Sequence, residues 1–270
     1  MPIDAILKAA DAAMTRQRVG PVQGPLHVGV DLGTAYTVLI VLDRVMHPVA
    51  GAYQFAQVVR DGVVVDFMGA IDLVRKLKAD VEARLSVELT SAASAYPPGV
   101  PLTEVRAVQY VLEGAGLDCT RLIDEPTAAN ALLGVQQGAV VDVGGGSTGI
   151  AVIEKGQVVY TADEPTGGTH FTLVIAGAKG IPFEQAEALK LDPAAQTSLF
   201  PLVKPVMEKV ATIVQRHLAG FQVEEITLVG GAVAFPGFTD IVADVTGIPA
   251  VAPSRPLFVT PIGIAMLHED

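Results

Sequence analysis

The spacing of apolar positions changes several times along the 270 residues. Near the start, Ile3, Ile6, Leu7, Ala10 and Met14 recur at helical intervals, which predicts an amphipathic helix over residues 3–18. The stretch VGPVQGP at 19–25 then reads as a Gly/Pro linker. Residues 1–25 therefore have the form of a tethered docking peptide, or of a helix that packs on the body. From residue 26 the pattern becomes strand-like. LHVGVDLG and YTVLIVLD predict two strands around a glycine-bearing turn, and QVVRDGVVVDF at 57–67 predicts a second hairpin turning at Asp61-Gly62. Helical spacing returns between Met68 and Leu89, with Ile71, Val74, Leu77, Val81 and Leu85 on one face. SAASAYPPGV at 91–100 reads as a strand ended by prolines, 102–114 as a helix, 121–124 as a short strand and 126–134 as a helix with Pro126 in its first turn.

The second half repeats the theme. GAVVDVGGGSTGIAVIEKGQVVYTAD, residues 138–163, predicts three strands and two turns. Helices follow over 182–189 and 200–218, then a buried strand in EEITLVGG, a helix over 238–246 and a last helix with Thr260 as N-cap and Pro261 at its first position. Setting Asp31 against Asp142 aligns DLGTAYTVLIVLDR with DVGGGSTGIAVIEK without a gap. Gly33 then meets Gly144, Thr37 meets Thr148 and Val41 meets Val152. Two domains of one kind, each opening with strand, Asp-x-Gly turn and strand, are the reading this implies.

Composition adds limits. Half of the residues are apolar, aromatics are few and Trp is absent, which suits an α/β protein with buried parallel strands. The net charge of −11 argues against nucleic acid or an anionic membrane as partner, since both need a positive field. A small anionic nucleotide remains compatible if backbone N–H groups and a divalent cation receive it. The single cysteine, Cys119, rules out a disulfide within the chain and points to a reducing, cytoplasmic setting. No apolar run reaches the ~18 residues of a membrane span, and the N-terminus has no secretory apolar core.

The chemistry lies in the glycine turns. A buried acid followed by Gly144, Gly145 and Gly146 leaves backbone N–H groups able to form a concave nest for phosphate oxygens. Ser147, Thr148 and Thr34 add hydroxyls. Asp31 and Asp142 would repel phosphate directly, so they would act through Mg²⁺ and its water. A third turn, Gly230-Gly231, leaves room for a flat base or ribose. No GxxxxGK[ST] is present, and no GxGxxG opens a helix with an acid about twenty residues on.

With these residues in view, the chain resembles the actin-like ATPase superfamily. GVDLGTAYTVLIV is similar to its first phosphate motif, VVDVGGGSTGIAVI to its second and ITLVGGAVAFPGF to its adenosine motif. IDEPTAANALLG and TPIGIAM resemble the two connecting helices of DnaK-type chaperones. The resemblance implies an α/β fold of two ribonuclease H-like domains with ATP/ADP and Mg²⁺ in an interdomain cleft. On this reading residues 26–137 form domain I, 138–258 domain II, and 259–270 a helix that returns to domain I.

Within the superfamily, QVVRDGVVVDFMGAIDLVR, LIDEPTAANALLG and TADEPTGGTH are similar to the chaperone-like proteins of bacterial ethanolamine utilisation. That likeness implies a nucleotide-dependent chaperone or reactivating protein, working by domain closure on an enzyme or shell component of ethanolamine catabolism. It implies a monomer or small homo-oligomer in the cytoplasm, associated with a bacterial microcompartment. A nucleotide-bound scaffold of the cell-division or pilus-assembly type is the alternative.

By resemblance, Asp31 and Asp142 are the Mg²⁺-side aspartates and Glu125 orients the attacking water. Gly33, Thr34, Gly144, Gly145, Gly146, Ser147 and Thr148 hold phosphate oxygens. Gly167 and Gly168 form a turn near the ribose, Glu187 and Lys190 meet the nucleoside, and Gly230, Gly231 and Phe235 line the adenosine side. Two departures stand out. Ala35 occupies a position where DnaK-type relatives carry a second threonine, and no segment matches their catalytic lysine; Arg60 is only a solvated hairpin arginine. Binding with slow hydrolysis, or without turnover, is the resulting expectation.

Overall fold

The computed structural model describes every residue except Met1, Pro21, Gln23, Asp61 and Asp270, and every remaining side chain except that of Leu102. The Asp61 half of the expected Asp61-Gly62 turn thus lies outside the described residues. The chain forms two compact units, one from Met1–Gly134 with Phe258–Asp270 and one from Val135–Leu257.

The first unit contains, in order, α1 (Ile3–Thr15), β1 (His27–Leu32), β2 (Tyr36–Leu42), β3 (Pro48–Phe55), β4 (Val59–Arg60), β5 (Val63–Val64), α2 (Phe67–Leu85), β6 (Ser91–Tyr96), α3 (Leu102–Gly114), β7 (Asp118–Asp124) and α4 (Glu125–Leu133). The second contains β8 (Gln137–Val143), β9 (Thr148–Glu154), β10 (Gln157–Glu164), α5 (Gly168–Lys179), α6 (Phe183–Leu191), α7 (Pro193–Leu218), β11 (Ile226–Val229), α8 (Phe238–Thr246) and β12 (Ala250–Val251). The last helix, α9 (Val259–Met266), belongs to the first unit.

The two sheets are built alike. Their orders are β3-β2-β1-β6-β7 and β10-β9-β8-β11-β12. In each, the first three strands run antiparallel and the last two join in parallel. Even the register repeats: Asp31 faces Val38 across the first hairpin, and Asp142 faces Gly149 across the second. The duplicated sequence therefore specifies a duplicated supersecondary unit.

Buried side chains explain the strands. Six of seven β2 positions are buried, as are all β9 positions but its last, because helices cover the sheets. Helix ends follow local chemistry. The Asp66 carboxylate accepts the Gly69 N–H at 2.9 Å to start α2, and Gly134, left-handed at φ 64°, stops α4 where the chain enters the second unit.

Several elements differ from the sequence expectation. β3 and α5 were not foreseen. α7 starts at Pro193 rather than residue 200 and runs through Pro201 and Pro205, because Leu199, Val203, Met207, Val210 and Val214 bury a continuous face that outweighs the lost backbone bonds. Thr260 is not a cap. A 3-10 turn, Pro256–Phe258, leads straight into α9, which begins at Val259 and leaves Thr260 buried inside it.

Helix α1 is part of the first unit. Leu7, Ala10 and Ala13 are fully buried where α1 packs on β3. Arg84 secures its end: the guanidinium donates to the carbonyls of Ala13 and Met14 at 3.2 Å, Arg16 at 3.3 Å and Gly51 at 2.6 Å. The carbonyls of Ala13, Met14 and Arg16 lie at the C-terminal end of α1, where carbonyls have no partner inside the helix, and that of Gly51 belongs to β3, so the guanidinium ties the helix end to the strand. Helix α1 therefore packs on the first unit.

Candidate functional site

The second unit gathers its three glycine turns at one end of β8. Leaving β8 after Asp142 and Val143, the chain turns at Gly144, whose N–H donates to the Ser147 carbonyl at 3.0 Å. The carbonyl side of this turn is occupied: Gly168 N–H donates to Gly144 O and Thr169 N–H to Gly145 O, both at 2.8 Å. Its N–H side is open, for among the described residues Gly145, Gly146 and Ser147 N–H have no acceptor. Consecutive N–H groups without partners beside a strand end form a cradle for an anion.

Close approach explains why these positions are glycine. A Cβ on Gly167 would lie 2.6 Å from Gly144 O and 2.8 Å from Gly145 O. A Cβ on Gly230 would lie 2.3 Å from a carboxylate oxygen of Asp142 and 2.5 Å from Val143 O. Gly230 also sits at φ 92°, ψ 159°, a region essentially reserved for glycine. Gly230 thus leaves space for the Asp142 carboxylate, and Gly167-Gly168 backs the Gly144–Ser147 turn. Gly231 opens the following 3-10 turn, and a Cβ there would meet only Leu257 Cδ1 at 3.3 Å.

Beneath the same turn lies a buried polar group from α5 and α6. Lys190 Nζ stands 2.6 Å from Glu187 Oε2, 3.0 Å from Thr172 Oγ1 and 3.2 Å from Gly168 O. Burial pushes the Lys190 ammonium below its ordinary value, and the Glu187 carboxylate pulls it back. Thr172 donates to Glu187 Oε2 at 2.5 Å. The other oxygen, Glu187 Oε1, is buried without a partner among the described residues.

Two expected contact residues have different surroundings. Phe235 is 4% exposed and packs edge-on against Phe171 at 6.0 Å, so it supports the Gly230 turn from the core instead of presenting a face to a ligand. Thr148 is fully buried and donates to Thr166 O at 2.6 Å, so its hydroxyl holds the Gly144–Ser147 turn against the segment before Gly167. Its counterpart Thr37 in the first unit is equally buried, and its hydroxyl has no partner among the described residues. The two threonines should respond oppositely to removal of the hydroxyl. Thr148→Val leaves Thr166 O unpaired and should cost about 1–3 kcal/mol, whereas Thr37→Val removes an unsatisfied group and should be neutral or stabilising by up to about 1 kcal/mol. Denaturant melts of both variants check this.

In the first unit Gly33 N–H donates to Tyr36 O at 3.1 Å, the same closure as at Gly144. Ala35 O accepts from Ala56 N–H at 3.0 Å, and the Thr34 N–H has no acceptor among the described residues. Asp31 lies at the end of β1, opposite Val38. Glu125 is the first residue of α4, fixed there by the Asp124 carboxylate, which accepts the Thr127 N–H at 3.0 Å. Among the described residues no three His, Cys, Asp or Glu side chains converge into a metal cage. The open N–H donors of the Gly144–Ser147 turn suit a small anionic group such as a phosphate. Sequence reasoning missed Thr172, whose hydroxyl links Glu187 to Lys190; its place one turn after Gly168 was hidden while α5 went unread.

Known proteins share this fold. The family model for MreB/Mbl protein matches residues 49–177, and that for cell division protein FtsA matches residues 139–263. MreB5 of Spiroplasma citri, solved bound to AMPPNP, superposes with a TM-score of 0.72 at 17% identity over 89% of this chain and 95% of that one. At that identity the likeness is one of fold, the actin-like ATPase fold. Much nearer is the crystal structure of ethanolamine utilization protein EutJ from Carboxydothermus hydrogenoformans, with TM-score 0.93 and 46% identity over 98% of this chain and 97% of that one. Ethanolamine utilization protein EutJ of Salmonella typhimurium LT2 is 43% identical over 255 residues, 94% of this chain and 90% of its own. With similarity at this level over nearly the whole length of each partner, the chain belongs to the EutJ family of ethanolamine utilization proteins.

Proposed function

We propose that this protein binds ATP and ADP, with phosphate oxygens on the N–H groups of Gly145, Gly146 and Ser147, and acts as a nucleotide-dependent chaperone-like or reactivating protein in ethanolamine utilisation. The observation that carries the reading is the one-sided glycine turn. Its carbonyls are tied to α5 at 2.8 Å, which leaves its N–H groups to an anion. In the first unit, Gly33 and Thr34 contribute the equivalent turn. Glu187 and Lys190 take the nucleoside. Asp142 of the second unit would hold a hydrated Mg²⁺, which would supply charge neutralisation at the phosphates, and Asp31 is the matching carboxylate of the first unit. Glu125 orients the attacking water. The AMPPNP complex of the Spiroplasma protein supports a nucleotide as ligand, and the likeness to EutJ supports an enzyme or shell component of ethanolamine catabolism as client.

Ala35 favours a second reading. It removes one hydroxyl that DnaK-type relatives place at the first turn, so nucleotide held without turnover, in a scaffold, is the competing role. Single-turnover assays with ATP and Mg²⁺ separate the two. If the protein hydrolyses ATP, Glu125→Ala lowers the rate by about 10²-fold or more and keeps affinity within about twofold. No hydrolysis by the unmodified protein, with affinity intact, selects the scaffold. Asp142→Asn should weaken Mg²⁺-dependent ATP binding at least about tenfold; unchanged affinity refutes the phosphate site.

A further inference from the structure

The amino end of α5 is bonded in an unusual way. Its N-cap, Gly167, has no side chain to offer the helix, and its first two residues, Gly168 and Thr169, donate their N–H groups to carbonyls of the phosphate turn. The Gly167 backbone is held instead by the third helical residue. His170 N–H donates to Gly167 O at 3.0 Å, and Gly167 N–H donates to His170 Nδ1 at 3.2 Å. The imidazole takes the place that Glu or Gln fills in an ordinary capping box. Since Nδ1 accepts, the ring proton is on Nε2 and the imidazole is neutral in this arrangement.

We infer that His170 is a positioning residue for the phosphate turn, acting through Gly167, an inference that rests on the nucleotide-binding reading above. The chain of contacts is short. His170 fixes the Gly167 peptide; Gly167 lies within van der Waals contact of Gly144 and Gly145; and the next two N–H groups clasp the carbonyls of those glycines. With the carbonyls held toward α5, the N–H groups of the turn face away from it. Loss of the Nδ1 acceptor frees the Gly167 peptide, loosens the clasp and lets the turn rotate its donors out of convergence. Lys190 Nζ donates to the neighbouring Gly168 carbonyl at 3.2 Å, and Thr172 Oγ1 lies 3.3 Å from the same oxygen, so side chains hold both residues of the double-glycine segment.

The test uses His170→Phe, which keeps a ring and removes both nitrogens, and His170→Gln, whose amide oxygen can accept the Gly167 N–H as in a standard capping box. Two readouts are taken on the full chain. In nucleotide-free protein, amide hydrogen exchange across residues 166–170 should rise about tenfold in His170→Phe and stay near the original rate in His170→Gln. ATP affinity should fall about tenfold in the first variant and stay within about twofold in the second, with melting temperatures close to that of the unmodified protein. Equal exchange in all three proteins, or a His170→Gln variant that behaves like His170→Phe, overturns the role of His170. An unmodified protein that binds no ATP refutes the functional reading instead, and the exchange measurement still decides whether His170 holds the turn.

Discussion

Gly263→Ala should destabilise the first unit by at least about 3 kcal/mol and lower its melting temperature by about 6–12 °C. A Cβ at Gly263 would lie 1.7 Å from Ala128 O and 2.5 Å from Ala128 C, where an ordinary contact is about 3.5 Å. The obstacle is backbone inside α4, so no change of side-chain rotamer relieves it, and the two helices must separate. That separation opens the seam where α9 also packs on β1, at whose Gly29 a Cβ would come 2.7 Å from Pro261 O. A control within the same chain isolates the cause. Gly177→Ala in α5 meets nothing within 4 Å and should stabilise by about 0.5–1 kcal/mol through helix propensity alone. Thermal melts that rank both variants equally would show that close helix contact at Gly263 does not govern stability.

Gly230→Ala should have the next largest effect, on the site itself. The substitution forces a non-glycine residue to φ 92°, ψ 159°, at about 1–3 kcal/mol, and drives a methyl to within 2.3 Å of the Asp142 carboxylate. The second unit should lose at least about 3 kcal/mol once the overpacking is included. The displaced carboxylate should take Mg²⁺-dependent nucleotide affinity down with it. Gly231→Ala, one residue on, meets only the Leu257 Cδ1 methyl at 3.3 Å and should cost less than about 1 kcal/mol of stability. Melting curves and an ATP titration on the pair distinguish a specific need for glycine at 230 from general sensitivity of the turn.

The duplicated hairpin was legible because it is written twice. Apolar strands, an Asp-x-Gly turn and a second apolar strand occur in LHVGVDLG and GAVVDVGGG with the same offset between acid and glycine, and their registers coincide. The fold class follows from that repeat and from the motif order. Other elements were hidden for physical reasons. β3 carries Pro48 and Gly51 and reads as a loop by propensity, yet it is held between β2 and α1. α5 opens on two glycines and mixes Thr, Val and Ile, so its period is obscure until Phe171 and Ile175 are seen in the core. In the site, glycines and acids announced themselves by type, but the partners of Thr148 and the core position of Phe235 depend on tertiary contacts. The Arg84 clamp on α1 spans about seventy positions of sequence, so no local pattern reveals it.

The central claim is that the N–H face of the Gly144–Ser147 turn receives nucleotide phosphates. Isothermal titration of the unmodified protein with ATP, ADP and adenosine, each with Mg²⁺ and with chelator, tests it most directly. The account predicts one saturable site for ATP and ADP, weakened when Mg²⁺ is removed, and adenosine binding at least about tenfold weaker for want of phosphates. Adenosine binding as tightly as ATP, or no binding of ATP at millimolar concentration, would contradict it.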